Sequence, residues 1–97
     1  MINYIIYVSF TDAAPDSITR LSTELAKYNI AGGIKADDGR GYFLPPGTFI
    51  YHGKETINEV RDAIHRLAET IQPGASVVAT ETTTISWTGL KEVPNPA

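Results

Sequence analysis

The chain has 97 residues, 42% of them hydrophobic, and a formal net charge of −3. That length suits one compact domain, and the acidic balance does not announce nucleic-acid binding, although a local basic patch can act within an acidic whole. The absence of cysteine excludes a disulfide scaffold, a thiolate zinc site and a cysteine nucleophile.

No apolar run approaches the ~20 residues of a membrane span. The apolar first ten residues lack a basic stretch and a small-residue cleavage site, so no signal peptide is expected. A soluble cytoplasmic protein is the default expectation.

Residues 2–10 alternate as a strand: Ile2, Tyr4, Ile6, Val8 and Phe10 form the more apolar face, and Asn3, Ile5, Tyr7 and Ser9 the other. Thr11 to Ala14 is a turn, and Pro15 suits the first position of a helix, where a missing N–H costs nothing. That helix is expected to reach about Asn29, with Ile18, Leu21, Leu25 and Tyr28 on one stripe. Ala31-Gly32-Gly33 ends it. Residues 34–37 read as a short second strand, Asp38 to Gly41 as a turn, and 42–47 as a connector broken by Pro45-Pro46. Residues 48–52 read as a third strand.

The clearest element follows. Ile57, Val60, Ile64, Leu67 and Ile71 recur at spacings of three and four, the mark of one helix face. Thr56 with Glu59 makes a capping box, and Pro73-Gly74 stops the helix. Residues 76–87 are a β-branched run and read as the last strand. The domain is expected to span 1–90, with 91–97 a flexible C-terminal tail.

The order β-α-β-β-α-β, with one apolar stripe on each helix, predicts an α+β fold. It is the ferredoxin-like arrangement, a four-stranded antiparallel sheet with both helices on one face. The other face is then open, and function is expected there or at a sheet edge.

Several residues carry possible chemistry. Asp12, beyond the first strand, can bind a metal or orient water, and it also reads as a turn or N-cap residue. Asp37-Asp38-Gly39 offers paired carboxylates to a hard cation or, more simply, a hairpin turn. His52, at the end of the third strand, suits acid–base work or a single structural hydrogen bond. His65 reads as solvated surface. Lys35, Arg40 and Lys54 form a basic cluster suited to phosphate, or to solvated pairing with Asp37, Asp38 and Glu55. If Tyr7 faces away from the helices, Phe49 or Tyr51 near it gives a surface on which bases stack; the alternative is that these rings pack in a core or dimer interface. The Thr80 to Thr84 run favours an exposed edge open to a second chain. No phosphate-cradling loop, nucleophile elbow or aromatic RNA-recognition motif is present.

The first strand Tyr4 to Phe10, Asp12 after it, Asp37-Asp38-Gly39 continuing to Tyr42, Leu44 and Pro45, and Trp87-Thr88-Gly89-Leu90 together resemble the GhoS-type endoribonuclease antitoxins. These are small ferredoxin-like proteins, and the resemblance covers most of residues 3–90. It implies cleavage of a toxin messenger RNA, and kinship of fold with small CRISPR-associated nucleases in which an Asp ending the first strand binds metal. Asp12 is the nearest position here.

Two functions follow as expectations. In the first, an RNA-cleaving antitoxin, Lys35, Arg40 and Lys54 hold phosphate, Tyr7 and Tyr51 contact bases, His52 moves the proton, and Asp12 holds a metal or orients water. A 2′-hydroxyl attacks its own phosphate, so no protein nucleophile is needed. No cofactor is expected, and a divalent metal is left open. In the second, a non-catalytic acidic module docks a protein partner, or a second copy as a homodimer, through the open face or the last strand's edge.

Overall fold

The computed structural model describes residues 2–94. In order, the elements are β1 (Ile2–Phe10), α1 (Ser17–Ala26), β2 (Gly33–Lys35), β3 (Gly41–Phe43), β4 (Thr48–Gly53), α2 (Ile57–Ile71) and β5 (Ala75–Thr82). The protein is α+β. β1 is the central strand of a three-stranded antiparallel sheet, order β4-β1-β5, and β2 with β3 makes a separate two-stranded sheet.

The core follows from alternation on β1. Tyr4, Ile6, Val8 and Phe10 are each at most 8% exposed and meet Leu21 and Leu25 of α1 and Val60, Ile64 and Ala68 of α2. Ile57, Leu67 and Ile71 pack at its margin. Burying each large aliphatic side chain stabilises by roughly 1.5–3 kcal/mol. The expected stripe of α2 therefore faces the sheet.

Both halves of the capping box form: the Glu59 N–H donates to Thr56 Oγ1 at 3.2 Å, and the Thr56 N–H donates to Glu59 Oε1 at 2.9 Å. α1 begins two residues after Pro15, at Ser17, and its chain leaves through Asn29 in the left-handed region at φ 62°. The fully buried Ser17 accepts from the Ala14 N–H and donates to Gln72 Oε1, which ties the start of α1 to the end of α2.

Two expectations about the sheet are corrected. Residues 33–35 do not lie along β4 as a fourth strand. A single antiparallel bridge, Ala31 to Ile50, joins that region to β4, with N–H···O contacts of 2.9 and 2.8 Å. β2 instead pairs with β3 across the turn at 36–40, because a short loop closes at less entropic cost than a distant pairing. The last strand stops at Thr82, where its hydroxyl donates to the Thr84 carbonyl at 2.7 Å and the chain turns out of the sheet.

The second sheet face is also partly covered. After β5 the chain crosses it, and Ile85, Trp87 and Leu90 line a groove of about 300 Å³ with Ile5, Tyr7 and Leu44. Ile5, on this face, is only 8% exposed. Trp87 meets Tyr42 with ring centroids 5.9 Å apart at a tilted angle. Of the segment 91–97 expected to be a tail, the Phe43 N–H donates to the Lys91 carbonyl at 2.9 Å and the Val93 N–H to the Gly41 carbonyl at 2.8 Å. Residues 95–97 lie outside the described part. No described helix is long and apolar enough to cross a membrane.

Candidate functional site

Cross-strand register decides which side chains share a face, because directly opposed residues point the same way. Asn3 opposes His52 and Thr82; Ile5 opposes Ile50 and Thr80; Tyr7 opposes Thr48 and Val78. All of these lie on the side away from the helices. Tyr4 opposes Tyr51, and their rings stack with centroids 6.4 Å apart on the helix side. Tyr7 and Tyr51 thus lie on opposite faces, and Phe49 is buried in the core. The base-stacking alternative is not met on one surface, because Tyr51 pairs with Tyr4, and Tyr4 and Tyr7, three apart along β1, point to opposite faces.

His52 is exposed, and its Nδ1 lies against Asn3 Oδ1. An amide oxygen only accepts, so in the tautomer protonated at Nδ1 this contact is a hydrogen bond that leaves Nε2 as the acceptor. Asn3 in turn lines a groove of about 350 Å³ with Lys35, Asp37, Thr82 and Trp87. His52, Asn3 and Lys35 therefore gather at one end of the sheet.

Asp12 stands at the other end. It follows the last residue of β1, whose length at ~3.3 Å per residue separates it from His52 by about 25–30 Å. Its carbonyl accepts from Gln72 Nε2. Asp12 and His52 cannot act on one bond.

The basic cluster is divided as well. Lys35 and Arg40 share a groove of about 470 Å³ with Asp38 and Glu92. Arg40 Nε lies 3.8 Å from Asp38 Oδ2 and 3.8 Å from Glu92 Oε1, so two carboxylates flank its charge. The Arg40 N–H donates to Asp38 Oδ1 at 2.9 Å, which is hairpin-turn chemistry. Lys54 is exposed just past β4 and does not line that groove. On the outward side of β4, β1 and β5, the residues Thr48, Ile50, Asn3, Ile5, Tyr7, Ser9, Ser76, Val78, Thr80 and Thr82 carry no charge. A continuous basic track is not what this face presents. Among the described residues, no group of three His, Cys, Asp or Glu side chains could hold a metal ion.

What this face does present is apolar and hydroxyl-rich. Tyr7 is 50% exposed and its cross-strand neighbour Val78 is 59% exposed. β5 is an edge of the sheet, with β1 on one side and no described strand on the other. Its eight residues include no proline and no lysine, the devices that usually blunt an edge. The β-branched run pointed to this edge; the Tyr7–Val78 pair was not readable, because it depends on register.

No family model, curated protein or solved structure matches this chain.

Proposed function

We propose that the protein is a non-catalytic binding module of the cytoplasm that docks a protein strand on the edge of β5, and that a second copy of the chain supplies that strand. The observation carrying this reading is the unpaired eight-residue edge beside the exposed Tyr7–Val78 pair. An unpaired strand exposes a row of N–H and C=O groups to any extended chain. Two β5 strands meeting antiparallel about a two-fold axis are self-complementary. If they centre between Val78 and Ala79, each Glu81 falls opposite Ser76, so the strand's one carboxylate does not face its own copy. The uncharged outward row adds no repulsion. Light scattering tests this: a dimer at high micromolar concentration supports it, and a monomer throughout removes it.

We also infer a ferredoxin-like kinship. The Ala31–Ile50 bridge, on the side of β4 where a fourth strand would lie, supports it.

One observation favours a second reading, an RNA-cleaving antitoxin of the GhoS type. His52, held by Asn3, stands beside the groove that contains Lys35. In that reading Nε2 of His52 takes the proton of a 2′-hydroxyl, Lys35, Arg40 and Lys54 contact phosphate, and Asp12 takes no part. His52→Ala would slow cleavage by on the order of 10²–10⁴. Reversing the three basic charges would weaken binding and flatten its salt dependence. An RNA pool left unbound and uncut, with and without magnesium, disposes of this reading and leaves the binding module standing.

A further inference from the structure

At the edge of the domain opposite β5, the end of α1, the first half of α2 and the end of β4 leave a pocket of about 210 Å³. Ile30, Val60 and Ile64 line it, and each is buried. The rings of Tyr28 and Tyr51 also line it; Tyr28, expected on the apolar stripe of a helix reaching Asn29, lies past the end of α1 at Ala26 and is 55% exposed. Glu55 and Glu59 complete the lining.

The charged residues that line this pocket are both carboxylates. Neither Glu55 nor Glu59 joins an ion pair among the described residues. Burial, and then the charges of Glu81, Glu55 and Glu59, hold the Tyr4 hydroxyl above the usual tyrosine range. The Tyr51 hydroxyl is raised in the same direction by its hydrogen bond to the Glu55 side chain and by burial. Glu59 stays ionised because its bonds to Thr56 lower it.

An apolar floor, two aromatic rings and two carboxylates together match an alkyl stem that ends in a cation. The stem lies against apolar groups, and the ammonium meets π-faces and carboxylate oxygens. The volume falls below the roughly 300–1,000 Å³ that encloses a drug-sized ligand, so a single side chain is the right size. We propose that this pocket receives a lysine side chain presented by a protein partner. The proposal stands apart from the β5 pairing, because the two surfaces lie on opposite edges and neither occludes the other.

The test uses the full chain and two probes: N-acetyl-lysine N-methylamide, and the norleucine analogue that keeps the stem and lacks the ammonium. Amide NMR of the labelled protein is expected to show saturable shifts around Tyr28, Tyr51 and Ala63 with the lysine probe and much smaller ones with norleucine. Tyr28→Ala and Glu55→Gln should each weaken the lysine probe about 2- to 5-fold, as loss of one cation–π or charge contact does. Glu59→Gln should weaken it too while retaining the helix cap, which glutamine also supports. Equal response to both probes, shifts scattered over other surfaces, or no saturable shift would overturn the proposal. A monomeric protein that still binds the lysine probe would separate this site from the β5 reading.

Discussion

The two faces of β1 are built from one strand and end differently. Toward the helices, Tyr4, Ile6, Val8 and Phe10 are sealed by two amphipathic helices. On the other side, Ile5 is covered by Ile85, Trp87 and Leu90 from a segment without regular structure, while Tyr7 and Val78 stay half exposed. A face closed by periodic elements is complete. A face closed by an irregular strap is covered only where the strap happens to pass, and the uncovered remainder adjoins the eight-residue edge of β5. The core and the proposed self-pairing surface thus lie on opposite sides of the same sheet.

The comparison breaks most easily on the helix side. Ile64→Ala removes a fully buried side chain from the core and should cost roughly 2–5 kcal/mol in chemical denaturation. An unmoved midpoint would mean that α2 does not seal this face. Trp87→Ala acts on the strap. Because Trp87 is only half-buried, the expected loss is smaller, about 1–2 kcal/mol. Faster amide exchange around Ile5 should accompany it, and no such change would show that the strap covers nothing.

The helix cap sharpens the contrast by a smaller amount. Thr56→Ala should cost about 1 kcal/mol. Glu59 has its carboxyl lowered by its hydrogen bonds to Thr56. A carboxyl depressed in the folded state stabilises above its ordinary value of 4.5 and loses that contribution as pH falls through the folded value. Wild type should therefore lose stability on acidification below about pH 4.5 more steeply than Glu59→Gln, which does not titrate. Parallel acid profiles for the two proteins would contradict the cap's role. The smallest stability effect is expected on the exposed side: Val78→Lys should change unfolding by no more than about 0.5 kcal/mol, yet abolish self-association by placing a charge on the edge. A stable dimer of this variant would move the interface elsewhere.

The parts legible in the sequence were those in which local pattern and tertiary need agree. α2 combined an unbroken three-four stripe, a capping box and a Pro-Gly stop, and all three are present in the fold. β1 alternated strictly, and its faces fall as the alternation required. The residues from Tyr42 to Phe43 looked like connector because Pro45-Pro46 follows, yet they pair with β2 before the prolines intervene. Thr83 to Ile85 had the β-branched composition of a strand but no partner beside it, since strand propensity expresses packing more than backbone preference. The candidate catalytic pair is not brought together, for a geometric reason. His52 and Asp12 are each plausible alone, but only register and strand length reveal that a whole strand separates them. The sequence left Tyr51 between a base-stacking surface and a core position, and its pairing with Tyr4, which decides for the core side, depends on where β4 enters the sheet. The pairing of Arg40 with Asp38 was one of the two sequence readings, but its second carboxylate, Glu92, lies half a chain away in a segment assigned to a tail.

Backbone amide exchange along Ala75–Thr82 at low and high protein concentration tests most directly whether β5 takes a second strand, as proposed. The amides that point away from β1 should exchange freely when dilute and become protected as concentration rises, while those bonded to β1 stay protected throughout. Fast exchange of the outward amides at every concentration would contradict it.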